Sequence, residues 1–166
     1  MQGLILPLCC CIPCALTLLQ FIKIYKCIEL LKNLKQLFEQ ISFILSGSTP
    51  DTITLFCALC DRNIFPTFSA MVYNGFLSGN TFCEAWGSAI DIVASDLLSV
   101  VEKIELLSFA ESFGFGSVDE QIKICKRFAQ FCNYAINKRK SNLAKNGKLY
   151  LSGSLLFGAL VLILMQ

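Results

Sequence analysis

The sequence predicts an all-α fold, an antiparallel bundle of about six helices with an apolar helix at the N-terminus and another at the C-terminus. Three observations predict it. Apolar residues recur at steps of three and four along nearly the whole chain, and no stretch alternates convincingly with period two. Three Ser/Thr-x-x-Glu sequences fall at breaks between apolar runs, which is the pattern of a helix opening on a capping box. Every charged residue lies between Lys23 and Lys148, so both ends are uncharged and mostly apolar.

The first helix is marked by Ile24, Ile28, Leu31, Leu34, Phe38, Ile41 and Leu45, one apolar stripe that extends the N-terminal apolar run and stops at Ser46-Gly47-Ser48. Thr49-Pro50-Asp51 then has the form of a second start, with a cap, a proline at the first helical position and an acid in the first turn. That helix is expected to reach Cys60 and break at Asp61-Arg62-Asn63. Pro66 opens a third, ending near Ser78-Gly79. Thr81-x-x-Glu84 caps a fourth containing Trp86 and Ile90; Ser99-x-x-Glu102 caps a fifth carrying Val101, Ile104 and Leu107. Gly114-Phe115-Gly116 breaks the chain, the glycines supplying positive φ, and Ser117-x-x-Glu120 caps the sixth. The last helix carries Val118, Ile122, Cys125, Phe128, Cys132 and Ala135 on one face and would span about 44 Å to Asn146. Trp86, Phe109, Phe113 and Phe128 fall on apolar faces and are expected in the core.

The uncharged ends, residues 1–22 and 149–166, are each close to the ~20 residues a helix needs to cross hydrocarbon. They are expected to be transmembrane anchors flanking a cytoplasmic helical domain, residues 23–148. Pro7 and Pro13 would shorten or bend the first span. A cleaved signal peptide would need bases ahead of its apolar run and a small-residue cleavage site. Nothing basic precedes Lys23 and no A-x-A pattern follows, so an uncleaved anchor is expected. In the second span Gly153, Ser154 and Gly158 have the small-xxx-small spacing that lets helices approach closely, with a homo-oligomer one form of that contact.

Charge is strongly segregated. Residues 1–35 carry four lysines against Glu29; residues 36–120 carry eleven acids against Arg62 and Lys103; residues 121–148 carry eight bases and no acid. Lys23 and Lys26 follow the first span, and Lys138, Arg139, Lys140, Lys145 and Lys148 precede the second. Short basic flanks stay cytoplasmic, which orients the middle domain, and such a collar suits an anionic lipid surface. A solvated helix face explains the spacing of these bases equally well, but not why they cluster at both borders. The acidic middle argues against nucleic acid, which needs clustered bases.

No histidine is present, so the commonest general base and metal ligand is missing. Neither phosphate-binding glycine motif occurs, and the serines have no triad partner. No enzyme, metal or cofactor is expected. Among ten cysteines, Cys57 and Cys60 have C-x-x-C spacing in the polar middle, without a strand-turn-helix context and without a second such pair there for zinc.

Glu84-Ala85-Trp86 is an acid-Ala-Trp element in mid-domain. Leu107 and Phe109 lead into Phe113-Gly114, followed by Ser117-x-Asp119-x-Gln121 with Lys123. Lys148-x-Tyr150-x-x-Gly153 runs on to Gly158 and the closing apolar tail. In order and position these resemble the stage III sporulation protein AB family of endospore-forming bacteria, over essentially the whole chain. The resemblance implies a span, a helical cytoplasmic domain similar to those of type II secretion and type IV pilus platform proteins, and a second span. It implies a non-enzymatic role in the mother-cell membrane around the forespore. The implied partners are the companion stage III ATPase and ring-forming channel proteins. On that footing Glu84, Asp91, Asp96, Glu102, Glu105 and Glu111 are candidates for an acidic surface that docks a basic face of the ATPase. Two other readings stand beside it: a doubly anchored scaffold or sensor of unrelated family, and a membrane thiol-redox protein using Cys57 and Cys60.

Overall fold

The computed structural model describes residues 2–164, with side chains described for 18–147 and Ser152. It contains six α-helices and, among the described residues, no strand: α1 Gln2–Gly47, α2 Thr52–Asp61, α3 Pro66–Leu77, α4 Phe82–Ala94, α5 Val100–Ser112 and α6 Val118–Leu164. The expected all-α class and the six helices are observed. The first helix and the N-terminal apolar run form one element, as do the sixth helix and the C-terminal run.

Local chemistry explains most boundaries. Thr81 with Glu84 and Ser99 with Glu102 form reciprocal capping boxes, each side-chain oxygen accepting from a backbone N–H of the first turn. Ser117 and Glu120 do the same for α6, with the Ser117 N–H donating to Glu120 Oε2 at 2.8 Å and the Glu120 N–H to Ser117 Oγ at 3.3 Å. The helix ends at α2 and α3 are Schellman turns. Ile64 N–H reaches back to Leu59 O and Asn63 N–H to Cys60 O; Asn80 N–H reaches Gly75 O and Gly79 N–H reaches Phe76 O. Each turn needs a left-handed residue, supplied by Asn63 and Gly79.

The start of α2 lies later than the sequence suggests. Asp51, not Thr49, is the N-cap: it is extended, and its carbonyl accepts from Leu55 N–H. The Thr54 hydroxyl donates to the Asp51 carboxylate and holds that carboxyl below its ordinary range. Pro50 therefore stands outside the helix.

The chain divides into two compact units, Cys27–Ile136 and Met1–Lys26 with Asn137–Gln166. α1 and α6 contribute to both. In the Cys27–Ile136 unit, α2 packs on α3, α3 on α4 and α4 on α5. α1 and α6 lie antiparallel there, with Phe38 against Phe128 and Lys35 near Asn133. The core is a cluster of rings. Trp86 of α4 has its centroid 4.7 Å from Phe109, 4.8 Å from Phe68, 5.7 Å from Phe82, 5.9 Å from Phe38 and 6.5 Å from Phe56. Phe109 in turn lies 5.2 Å from Phe128. All six helices are thereby joined through aromatic contacts, each worth roughly 0.5–1.5 kcal/mol beyond burial alone. The indole N–H is satisfied by Leu106 O at 2.9 Å.

Phe109 and Phe113, expected in the core, are buried, whereas Val101 and Ile104, by which the sequence also marks α5, are exposed, as is Val100; Leu107 is half-buried. The buried face is Leu106, Phe109 and Ala110, continued by Phe113. α5 has two apolar stripes, only one of which can face the core. The one with two phenylalanines removes more apolar area from water, so it wins. By contrast, Ile28, Leu31, Leu34, Phe38, Ile41 and Leu45 of α1 are all buried as expected, and so are Cys125, Phe128, Cys132 and Ala135 of α6.

Among the described residues no single helix is long and apolar enough to cross a membrane. Leu18–Gly47 with Thr52–Asp61 reaches that level only as a pair bent by 118°. Much of that pair is core of the bundle (Leu31, Leu34, Phe56 and Leu59 are fully buried), which accounts for its hydropathy without lipid. The expected spans fall largely outside the described side chains, and so do Lys148, Gly153, Ser154 and Gly158.

Two glycines test the packing of α4. A Cβ at Gly75 would lie 2.6 Å from Ala85 Cβ and 3.3 Å from its Cα, neither of which can rotate away. At Gly87 the nearest atom would be Leu107 Cδ2 at 3.6 Å, an ordinary contact. Gly87→Ala should therefore stabilise the protein by roughly 0.5–1 kcal/mol. Gly75→Ala should destabilise it, because overpacking of about 1–3 kcal/mol outweighs a similar propensity gain of about 1 kcal/mol. Urea unfolding of both variants reads the opposite signs. The buried thiols give a second test. Burial pushes Cys125 and Cys132 up to about 12 from an ordinary 9.0. A raised folded value stabilises fully below the unfolded one and is lost as pH rises through the folded one, so stability should fall above pH 9. The Cys125→Ala/Cys132→Ala variant, under reducing conditions, should lose about 1 kcal/mol less per thiol than the parent between pH 9 and 10. An equal loss in both proteins would refute it.

Candidate functional site

The charges sort by compact unit. The Met1–Lys26 and Asn137–Gln166 unit has seven bases (Lys23, Lys26, Lys138, Arg139, Lys140, Lys145 and Lys148) and no acid in its sequence. The Cys27–Ile136 unit holds all twelve acids and seven bases. Lys23, Lys26, Lys138, Lys140 and Lys145 are exposed and Arg139 is half-buried. The bases picked from both borders of the sequence thus fall in one unit, where α1 and α6 lie side by side.

The acids Glu84, Asp91, Asp96, Glu102, Glu105 and Glu111 lie on or just beyond the helices of the antiparallel α4–α5 pair. Its register is set by Cys83 Sγ donating to Ala110 O at 3.4 Å, by the Trp86–Leu106 bond, and by Lys103 Nζ donating to Ser95 O at 2.8 Å. Glu84 and Glu111 therefore belong to one end of the pair; Asp91, Asp96, Glu102 and Glu105 lie toward the other. Glu84, Asp91, Asp96 and Glu111 are exposed, and Glu102 and Glu105 are half-buried. The structure spreads these six along a hairpin rather than gathering them at one point.

Two of the six have a structural task as well. Glu84 Oε2 accepts from the Thr81 N–H and hydroxyl, both at 2.8 Å, and those bonds, the backbone one foremost, hold its carboxyl below the ordinary range. Glu102 Oε2 accepts from the Ser99 N–H at 3.0 Å and hydroxyl at 2.8 Å. The Glu102 carboxylate also helps keep the Cys132 thiol protonated, after burial, while Lys35 opposes it. A charge reversal at Glu84 or Glu102 would change a helix start together with the surface.

Exposed apolar residues interrupt the acids, a feature the sequence reading missed because it noted Val101 and Ile104 as marks of the helix without asking which side they face. Val100, Val101 and Ile104 share one side of the first turns of α5, between Asp96 and Glu105 in sequence.

Cys57 and Cys60 lie one turn apart in the C-terminal half of α2, both half-buried and unbridged. Burial, then Cys57 and Asp61, push the Cys60 thiol up. The Cys57 thiol is hydrogen-bonded with Tyr73 and raises that phenol. A redox dithiol works through a stabilised thiolate, as at a helix N-terminus; this pair lies in the C-terminal half of α2, and everything acting on Cys60 raises it. Among the described residues no group of three or more metal-ligating side chains occurs.

Comparison with known proteins gives one result with long coverage. No curated protein and no solved structure matches the chain significantly. The family model for stage III sporulation protein AB matches residues 6–166, which takes in α1 nearly from its start, the α4–α5 pair and all of α6. A match of that extent, over a six-helix fold whose Trp86 and Phe113-Gly114 elements are built into its core and turns, places the chain in the stage III sporulation protein AB family.

Proposed function

We propose that this chain is a doubly anchored membrane platform, working within the stage III sporulation role that its family carries. The observation that carries the reading is the sorting of charge by unit: seven bases and no acid in the unit that contains both uncharged ends, and every acid in the other. Basic segments next to apolar ends favour a cytoplasmic position and an anionic lipid surface. α1 and α6 each carry the chain from an uncharged end into the bundle without a break. Two attachments restrain rotation about either one, so a load on the bundle would reach the membrane rather than dissipate in swivelling.

In this reading the protein does no chemistry of its own. It holds a companion cytoplasmic ATPase to the membrane assembly of the secretion-like channel, and the acids of α4 and α5 meet a basic face of that partner. Charge at such a surface contributes to encounter and partner choice more than to affinity. Asp91, Asp96, Glu105 and Glu111 are the residues with which to ask the question, because Glu84 and Glu102 also cap helices. The alternative of an unrelated scaffold gives way to the family assignment, and the geometry of Cys57 and Cys60 does not favour a redox role.

Reporter fusions should place both termini outside the cytoplasm and residues between α1 and α6 inside; a cytoplasmic C-terminus would refute double anchoring. Replacing Asp91, Asp96, Glu105 and Glu111 together by Lys should weaken capture of the ATPase by about tenfold or more, with an unchanged thermal midpoint. Undiminished capture would remove the acidic surface from the reading.

A further inference from the structure

The basic unit contains a cavity of about 290 Å³ between the antiparallel α1 and α6. Its apolar wall is Phe21 and Ile24 of α1 with Leu143 of α6. Its polar wall is Gln20, Arg139, Asn142 and Asn146. Gly147 lines it too, and a Cβ built there meets nothing within 4 Å. No Asp or Glu occurs in the sequence of this unit, and Lys138 and Lys140 flank Arg139 on the same helix. By contrast, the larger groove between α1 and α6 in the other unit, about 790 Å³, mixes Lys35 and Lys126 with Glu39 and Asp119 and selects neither sign.

We propose that this cavity is a binding site for the headgroup and first chain methylenes of an anionic phospholipid. The inference rests on the membrane reading above and deepens it, since a collar of lysines attracts a surface, whereas a cavity holds one molecule. Three features select that occupant. Seven bases and no Asp or Glu in the unit favour an anion. A guanidinium is the side chain best shaped for phosphate oxygens, and Asn142, Asn146 and Gln20 add amide donors for the glycerol and headgroup oxygens. The Phe21, Ile24 and Leu143 wall then suits the start of an acyl chain, which a free phosphate could not use. Leu18 and Leu19 are exposed just before it in α1, so a chain leaving the cavity toward the N-terminal end of α1 meets apolar surface. The volume is too small for a whole diacyl lipid, and most of such a ligand would remain in the bilayer.

The full-length chain is purified in mild detergent after exposure to mixed phosphatidylglycerol and phosphatidylcholine vesicles, and retained lipid is counted by native mass spectrometry. Three variants separate cavity from collar. Gly147→Leu adds bulk at the cavity lining and leaves every charge in place. Arg139→Gln removes the phosphate partner. Lys138→Gln/Lys140→Gln weakens the collar and leaves the cavity lining intact. The expected result is retention of phosphatidylglycerol over phosphatidylcholine, lost about tenfold in the first two variants and about twofold or less in the third, with circular dichroism unchanged. Wild-type retention in Gly147→Leu, equal loss in the lysine variant, or equal retention of the neutral lipid would each overturn the site. Failure of the parent chain to associate with vesicles at all would instead refute the membrane reading and the site with it.

Discussion

Burial of the Trp86 indole is the constraint around which the rest of the bundle is arranged. The ring is wholly removed from water and touches aromatic rings from α1, α2, α3 and α5. Its N–H cannot go unpaired at that depth without costing about 1–3 kcal/mol, and Leu106 O of α5 meets it. That single bond fixes both the depth of α4 and the rotation of α5. With α5 so turned, Phe109 reaches Phe38 and Phe128, and α1 and α6 close over the cluster. The same rotation leaves Val100, Val101 and Ile104 facing outward.

Much of this was legible in the sequence, and the reasons are specific. The capping boxes at Thr81, Ser99 and Ser117 are local, so three helix starts could be read from four-residue windows. The stripe on α1 has no competitor, so its buried residues could be read from period alone. α5 has two stripes, and choosing between them requires knowing what lies opposite; Trp86 decides, and it is 20 residues away. The start of α2 was displaced because Thr49, Pro50 and Asp51 each suit a helix start, and only backbone geometry says which one is the cap. The contact of Gly75 with Ala85 leaves no trace in composition. The candidate site was legible as charge but not as arrangement. Bases 112 or more residues apart, such as Lys26 and Lys138, join one unit because α1 and α6 are antiparallel, and the acids disperse because α4 and α5 are.

Glu84 and Glu102 show how one residue can answer two demands. Each satisfies donors at a helix start and each adds to the negative charge of its unit. Loss of either acid would leave the N-terminal donors of its helix without their carboxylate partner, so the fold has a use for both that is independent of any surface role.

The ring cluster also dictates the order in which the chain can fold. Phe38 comes from the first helix and Phe128 from the last, and both must reach Phe109 before the core is dry. Closing so long a loop is entropically costly and is not repaid until both ends arrive. During synthesis α2 to α5 can form their hairpins early, but Trp86 remains open on one side until residues near 128 emerge. The nascent protein therefore carries an exposed aromatic face from the emergence of Trp86 until that of Phe128, and the first turns of α6 are what seal it.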